Sequence, residues 1–266
     1  VSTLSCIAAL ILLLWQVFSH GIDWLTWDFI RNLPSRFPAK AGIRSALAGS
    51  LWLLGLTTVI SVPIGIGAAI YLEEYANKNR WRTLVQTNIA NLAGVPSIVY
   101  GILGLGLFVR FMALERSILA GALTLSLVVL PIIILASQEA LRAVPPSIRS
   151  ASFALGATKW QTVWHQVLPA SIPGIMTGVI LAIARALGEA APLLAIGAVA
   201  YIPFAPSRLS DEFTALPIQI FNWSARPQED FHSVAAAGII VLLGVLICLN
   251  AIAVFVRYRA SKRIRW

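Results

Sequence analysis

Charged side chains are scarce in this sequence of 266 residues. Asp, Glu, Lys and Arg together make up 12% of it, whereas hydrophobic residues make up 58% and the mean hydropathy is +0.82. A typical soluble domain carries about 25% charged residues, and a soluble chain with so few of them would struggle to cover its surface. The composition therefore predicts a membrane protein.

Residues that carry chemistry are also few. The two cysteines, Cys6 and Cys248, lie in apolar runs, which favours separate thiols on helices over a disulfide. The three histidines, His20, His165 and His232, fall in different polar segments, so we expect no metal site. The sequence has no Cys-x-x-Cys pair, no His-Glu-x-x-His motif, no phosphate-binding lysine loop and no dinucleotide-binding glycine pattern. We therefore predict no catalytic residue and no cofactor, and any ATP-driven function requires a second chain that binds the ATP.

Six apolar segments are long enough, or nearly so, to cross a bilayer, which takes about 20 residues. They comprise residues 4–18, 46–72, 89–110, 118–136, 172–200 and 233–256. The first is short, and a signal peptide is its competing interpretation. No basic leader precedes it and no small-residue cleavage site follows Phe18, so we interpret it as a first transmembrane helix. An all-α, polytopic membrane protein with six transmembrane helices is the expected fold class.

Basic residues outnumber acidic ones, and the net charge is +9. A nucleic-acid partner would explain this excess, but its distribution offers another reason. Residues 73–88, 139–169 and 257–266 carry eleven basic and three acidic residues, whereas the connections that alternate with them carry eight and seven. Cytoplasmic loops of membrane proteins are rich in Lys and Arg. We therefore place these three segments and both chain termini in the cytoplasm, and we expect no nucleic-acid partner.

A polar island, residues 139–169, separates the fourth and fifth apolar segments. Pro145 and Pro146 favour a helix start, since proline lacks the N–H that the first turn of a helix leaves unpaired. Gly156 favours the end of that helix, where the chain commonly adopts a left-handed conformation. The pattern predicts a short helix and a glycine turn on one aqueous side of the membrane.

A second short helix is predicted after the turn. Thr158 and Gln161 have the spacing of a capping box, in which each side chain accepts a hydrogen bond from a backbone N–H of the first turn. Leu168 and Pro169 are predicted to end this helix. From the pattern alone, a solvated loop is the alternative interpretation of the island.

The island resembles a loop motif of the permease subunits of ABC importers, Glu-Ala-Ala-x3-Gly-x9-Ile-x-Leu-Pro. It keeps Ala151, Gly156, Leu168 and Pro169 at the spacing of the motif. It departs from the motif at three positions, Ser150, Ser152 and Gln166. The resemblance implies that the loop is a coupling helix that docks into a cleft on an ATPase subunit. The residues implied in this contact are Ala151, Gly156, Ala157, Thr158, Lys159, Trp160, Leu168 and Pro169.

Four stretches, one of them within the island, resemble PstA-type permeases of phosphate ABC transporters: AGVPSIVYGILGLGLFV, SFALGATKWQTV, ARALGEAAPLL and ALPIQIFNWSARPQEDFH. This resemblance covers most of the chain and implies a MetI-like type I ABC importer permease fold in the bacterial inner membrane. It also implies ATP-driven import of phosphate. The implied partners are a homologous second permease subunit, two ATPase subunits and an extracytoplasmic phosphate-binding protein.

The resemblance also implies a division of the chain. Residues 1–45 would form the first transmembrane helix and an external loop. Residues 46–258 would form the permease core, with the coupling loop at 139–169 and a second external loop at 201–232. Residues 259–266 would form a basic cytoplasmic tail.

Ionisable residues lie deep within one predicted span, the fifth, which carries Arg185 and Glu189. Arg185 follows Ile172 by 13 positions, about 20 Å along a helix, which is too far for its side chain to reach the cytoplasmic surface. A spacing of four residues places both side chains on one helix face, where they can pair. A self-neutralising pair that only packs the helix bundle is one interpretation. The resemblance implies the other, a substrate pathway at Arg185, Gly188 and Glu189 in which the planar guanidinium meets the phosphate oxyanion.

Three other functions compete with this one. A sulfate or molybdate permease would share the coupling loop, but the runs FNWSARPQEDFH and GEAAP resemble the phosphate type. A secondary transporter or channel would carry inverted repeats with ion sites near the membrane midplane, and the sequence has no convincing repeat. A membrane enzyme would need a nucleophile–base pair beside Glu189, and the sequence offers none.

Overall fold

The structure is a computed structural model that describes residues 2–77, 79–198 and 201–262. Within these ranges the chain is mainly helical and has no strand longer than a single bridge. Five helices are long and apolar enough to cross a membrane, and there are six crossings if one sharply bent helix pair counts as a span. The all-α fold class is confirmed. Lys78 and the last four residues of the predicted basic tail lie outside the described residues.

The N-terminal part forms three helices: α1 (Ser2–Gly21), α2 (Trp27–Arg31) and α3 (Arg44–Ile70). α1 includes the predicted first transmembrane helix, and most of its surface is exposed. Its end packs tightly, since a methyl group at Gly21 would lie 2.7 Å from the backbone of Ala236 in the last helix. α3 corresponds to the predicted second span and continues into a π-helical turn at Tyr71–Tyr75.

The predicted third span is two helices. α4 (Arg80–Ala93) and α5 (Ser97–Gly104), which a π-helical segment extends to Phe111, are bent by 101° relative to each other. The predicted third span, residues 89–110, is therefore broken within its length and counts as a crossing only if the bent pair is taken as one span. Pro96 explains the break, because it has no N–H and disfavours helical geometry at the residue before it.

The polar island folds as predicted at its start and differently at its end. After α6 (Ile118–Arg142) come α7 (Pro146–Ala154), α8 (Lys159–Thr162), a π-helical turn (Val163–Val167) and α9 (Leu168–Gly188). The last three form one helix of 30 residues, so the prediction that Leu168 and Pro169 end the second island helix is wrong. In the wide π-helical turn the Leu168 N–H donates to the Val163 carbonyl, and this turn lets the helix pass Pro169 although that residue lacks an N–H.

α9 is shorter than the predicted fifth span, which extended to residue 200. The helix ends at Gly188, Glu189 has extended backbone angles, and the short helix α10 (Ala191–Ala195) follows. Pro192 at the start of α10 has no N–H with which to continue the α9 hydrogen-bond ladder. Residues 199–200 lie outside the described residues. α11 (Leu216–Ser224) and α12 (Glu229–Lys262) follow, and α12 contains the predicted sixth span.

α6 lies at the centre of the fold, between α3 and α9. Small residues allow the close approach: a methyl group at Gly65 of α3 would lie 2.6 Å from Ile133, and one at Gly178 of α9 would overlap with the side chain of Ala136. A buried cluster joins the same three helices and comprises Leu54, Val129, Ile133, Ile175, Val179, Ala182, Ala186 and Leu187. Because α6 leads into the polar island and α9 leads out of it, this core determines where the island lies relative to the membrane-spanning helices.

Candidate coupling surface and translocation site

Residues 146–162 form a helix–turn–helix that we call the elbow. Gly156 ends α7 with φ +80°, the left-handed conformation that the sequence predicts. The predicted capping box is also present: the Gln161 N–H donates to Thr158 Oγ1 (3.3 Å), and the Thr158 N–H donates to Gln161 Oε1 (2.8 Å). The two local predictions for the elbow are therefore confirmed.

Most of the sequence-predicted coupling residues share the elbow. They are Ala151, Gly156, Ala157, Thr158, Lys159 and Trp160. Leu168 and Pro169 lie outside the elbow, in the continuous helix that follows it. They are half-buried there and pack the base of the elbow rather than line its surface. Ser152, a departure from the family motif, has its own contact, since its Oγ lies 2.9 Å from Thr162 Oγ1 on the other arm.

The elbow carries exposed apolar side chains that would be costly to leave in water. Leu155 is 89% exposed and Trp160 is 60% exposed, and Phe153 is also exposed, as is Trp164 in the π-helical turn that directly follows the elbow. Trp160 and Trp164 stack with ring centroids 5.4 Å apart. We call these four residues the elbow patch. Exposed apolar clusters of this kind mark sites of contact with a protein or with the membrane. Sequence reasoning found only Trp160, although all four residues lie in the polar island.

Two adjacent glutamates connect the elbow to three other parts of the fold. Both lie in the π-helical turn at the end of α3. Glu73 binds Arg82 of α4 and Arg142 of α6, with N–O distances of 3.1 Å in both pairs. Glu74 binds Arg149 of α7, with a distance of 2.6 Å between Oε1 and Nη2. We call this arrangement the glutamate junction. Sequence reasoning missed it, although two adjacent acids in a basic segment are a visible signal.

Arg149 has a second role in the same place. Its Nη1 donates to the Val144 carbonyl (2.7 Å) and its Nη2 to the Leu141 carbonyl (3.0 Å). These carbonyls lie at the end of α6, where a helix leaves its last C=O groups unpaired and where a cation is favoured. Lys159 adds a further link, with its Nζ 5.2 Å from the centre of the Tyr75 ring. The elbow is thus attached to α3 and α6 through charged side chains.

The predicted ion pair lies at the far end of the helix that leaves the elbow. Arg185 Nε is 3.1 Å from Glu189 Oε1. The pairing is confirmed, but the two residues do not share one helix, because α9 ends at Gly188 and Glu189 follows in extended geometry. Arg185 is 47% exposed and Glu189 is 15% exposed, so the pair borders an open face of this chain. The C-terminal end of a helix favours a cation such as Arg185.

Close packing fixes the turn that holds Glu189. A methyl group at Gly101 of α5 would lie 2.7 Å from the Pro192 Cα and 2.6 Å from the Ala195 Cβ of α10. α10 therefore rests directly on α5, and its Leu193 is buried in a core cluster. The break after α9 is a packed feature of the fold, and it positions the carboxylate of Glu189 beside Arg185.

Comparison with known proteins gives a consistent result. Residues 61–266 match the family model described as binding-protein-dependent transport system inner membrane component. The chain is 34% identical to the phosphate transport system permease protein PstA 1 of Mycobacterium tuberculosis, a match that covers 96% of this chain and 84% of that protein. It is 37% identical to the phosphate transport system permease protein PstA of Yersinia pestis, over 91% of this chain and 82% of that protein. A probable ABC transporter permease protein of Bacillus subtilis, YqgI, is 38% identical over 71% of this chain and 66% of its own length.

Solved structures support the same fold. A chain of the MetNI methionine ABC transporter in an inward-facing conformation matches with a TM-score of 0.67 and 17% identity, over 81% of this chain and 96% of that chain. A chain of a bacterial alginate ABC transporter, in complex with an alginate-bound periplasmic protein, matches with a TM-score of 0.65 and 15% identity, over 92% of this chain and 86% of that chain. At these identities the likeness concerns the fold alone, and it confirms the MetI-like permease fold.

Proposed function

This chain belongs to the family of binding-protein-dependent transport system inner membrane components and, within it, to the PstA-type permeases, and on that premise we propose that it is a permease subunit of an ATP-driven phosphate importer. It forms half of the translocation pathway. It works with a homologous second permease subunit, two ATPase subunits and an extracytoplasmic phosphate-binding protein. The chain crosses the inner membrane several times, with both termini in the cytoplasm.

The observation that carries this proposal is the single helix from Lys159 to Gly188. It begins at the elbow, which presents an apolar patch suited to a protein partner, and it ends beside the Arg185–Glu189 pair. A surface for an ATPase and a site for an anion thus lie on one continuous element. This arrangement suits a subunit that converts the movement of a partner into transport, and it agrees with the absence of any nucleotide-binding motif from the sequence.

Arg185 meets the substrate in this proposal. Among the described residues its side chain donates only through Nε, to Glu189, which leaves both Nη groups for an incoming anion. A guanidinium presents its N–H groups in a planar fork that matches phosphate oxygens. Glu189 keeps the empty site neutral and holds the arginine in place. An arriving phosphate has to compete with this carboxylate, so the pair favours release as well as binding.

The test is ATP-driven uptake of labelled phosphate into vesicles that contain the whole complex, with sulfate as competitor. Arg185→Lys keeps the charge and removes the fork, so we expect phosphate uptake to be lost while the complex still assembles. Arg44→Lys, the same exchange at an exposed arginine at the start of α3, is the control and should transport normally.

Each outcome decides a different point. Normal uptake by Arg185→Lys would indicate that the Arg185–Glu189 pair only packs the helix bundle. Uptake of sulfate in preference to phosphate by the wild type would favour a permease for another oxyanion. No uptake of phosphate by the wild-type complex would refute the proposed function itself.

A further inference from the structure

A groove of about 830 Å³ runs between α9 and the C-terminal half of α12. Its size lies in the range of roughly 300–1,000 Å³ that is usual for ligand sites. The walls are largely apolar and include Pro173, Gly174, Ala251, Val254 and Phe255. None of the residues that line this groove belongs to the elbow patch or to the Arg185–Glu189 pair, so neither part of the proposed transport mechanism uses it.

Arg257 is among the residues that line the groove. It is the first charged residue after the uncharged run of α12, residues 233–256, and therefore lies where the apolar part of the helix ends. Its Nη1 donates to Thr177 Oγ1 of α9 (3.0 Å), and the Thr177 hydroxyl donates in turn to the Pro173 carbonyl (2.9 Å). A guanidinium has five N–H donors, and this contact uses one of them. The guanidinium is thus held against α9, over the groove, with most of its donors available.

Arg257 differs from the other half-buried arginines of the described residues. Arg82 and Arg149 each bind a glutamate of the junction, and Arg226 stacks over the Phe231 ring at 4.3 Å. Arg257 has a hydroxyl as its partner but, among the described residues, no carboxylate and no ring. A partly desolvated charge without a counter-ion is unfavourable. Within the part of the chain that the structure describes, Arg257 therefore has no counter-ion.

Neither helix of the groove supplies an acid at this level. α9 has no Asp or Glu, and α12 has none between Asp230 and Lys262. The neighbouring helix α6 carries Glu139, but that carboxylate pairs with Arg142. Arg259, with its guanidinium 4.9 Å from the Phe255 ring, adds a second positive charge nearby. Among the described residues, therefore, no carboxylate balances Arg257, and an anion from outside the chain could do so.

We propose that the groove binds an anionic phospholipid, with the lipid phosphate on Arg257 and an acyl chain along the apolar walls. The shape and the charge both favour this ligand: an apolar channel suits a hydrocarbon chain, and the guanidinium fork suits a phosphate group. Basic pockets between transmembrane helices at the membrane surface take up anionic headgroups. The side chain of an arginine near a helix end usually extends toward water. The Arg257 side chain instead extends toward α9, where it donates to Thr177.

Native mass spectrometry of the complex with its partner subunits tests the proposal, because it counts the lipids that remain bound. Phosphatidylglycerol is the anionic probe and phosphatidylcholine the zwitterionic one. We expect the wild type to retain phosphatidylglycerol in preference. Arg257→Gln should lower the retained amount about tenfold, the effect of losing one charge-assisted hydrogen bond, and Ala251→Phe should lower it by filling the groove. This readout does not depend on transport.

Two variants are matched controls. Arg259→Gln removes the same charge two residues further along α12, and Ile247→Phe adds bulk at an exposed position; neither residue lines the groove. Both should retain the lipid as the wild type does. Equal lipid loss in Arg259→Gln would indicate general attraction to a basic surface and would overturn the site, as would unchanged retention in Arg257→Gln.

Two further results would assign the groove to another occupant. Displacement of the lipid by inorganic phosphate would show that Arg257 binds the free anion, because a lipid held by its acyl chain should resist such competition. Efficient cross-linking of an Ala251→Cys variant to the second permease subunit would show that a protein covers the groove. Resistance to phosphate, together with no cross-link, is the outcome that the lipid site requires.

Discussion

Arg149 and Glu74 are 75 residues apart in the sequence, and Arg149 Nη2 lies 2.6 Å from Glu74 Oε1. This ion pair attaches the first helix of the elbow to the turn that ends α3. Since Arg149 also binds two carbonyls at the end of α6, a displacement of the elbow acts on both of these helices. The contact therefore connects the surface proposed for the ATPase to two spans at once.

We predict that Glu74→Gln uncouples ATP hydrolysis from transport. The amide leaves the mostly buried Arg149 without an anionic partner and weakens the attachment by about 1.5–3 kcal/mol, the value of a hydrogen bond to a charged group. Phosphate uptake and ATP hydrolysis are measured in the same vesicles, and the ratio of the two should fall. Glu139→Gln is the control, because the Glu139 carboxylate is exposed and pairs only with Arg142 among the described residues. An equal fall in that variant would contradict the role of the junction.

Gly156→Val is expected to leave the spans folded and to impair coupling. A side chain at this position meets nothing within 4 Å, so its cost lies in the backbone at φ +80°. That conformation costs an L-residue about 1–2 kcal/mol, which favours a different backbone conformation at residue 156 and therefore a different angle between the two helices of the elbow. Uptake per ATP hydrolysed is the measurement. Gly156→Asn should behave almost as the wild type because asparagine tolerates left-handed angles, and normal coupling in the valine variant would show that the turn is not required.

Trp160→Ala should weaken the association with the ATPase subunit without unfolding the chain. Tryptophan side chains at the centre of an interface commonly contribute about 2 kcal/mol or more, which corresponds to a roughly thirtyfold higher Kd. The Kd is measured by titrating the purified ATPase onto the permease pair in nanodiscs. Phe111→Ala removes another exposed aromatic side chain, outside the elbow, and should leave the Kd unchanged. Full affinity in Trp160→Ala would exclude the elbow patch as the docking surface.

The packing of α5 on α10 leads to a stability prediction. In Gly101→Ala the new methyl group would lie 2.6 Å from the Ala195 Cβ, and overpacking of this kind costs about 1–3 kcal/mol. α10 has to move, and the Glu189 turn moves with it. We expect a lower Tm and reduced phosphate uptake. Gly106→Ala is the matched control, because its new methyl group meets nothing within 4 Å. If Gly101→Ala had the same Tm as this control, α5 and α10 would accommodate the methyl group without loss of stability.

Features with local causes were predictable from the sequence. The left-handed turn at Gly156 and the capping box of Thr158 and Gln161 depend on residues that are adjacent or three apart. The Arg185–Glu189 pair was found for the same reason, since a separation of four residues keeps two side chains close even where the helix ends between them. Each of these rests on geometry that a few consecutive residues determine.

Other features were not visible in this way. Hydropathy averaged over a long window does not register the breaks before Ser97 and after Gly188, because both lie within segments that are apolar as a whole. The π-helical turn that carries the helix past Pro169 depends on the packing around it. The glutamate junction joins Glu74 to an arginine of a distant helix, and only the folded chain shows which basic residue lies there.

The helix from Lys159 to Gly188 has a mechanical consequence. At 1.5 Å per residue its 30 residues measure about 45 Å, and it is held against α6 along its middle by the packing of Gly178 on Ala136. A rigid rod with a fulcrum partway along its length inverts motion: a push on the elbow in one direction swings the Arg185 end in the other. Arg185 at the tip would then move relative to Glu189, which lies on the following turn, without any change in the fold of the helix itself, and in the proposed mechanism a movement of the elbow would reach the Arg185 end of the helix as a tilt.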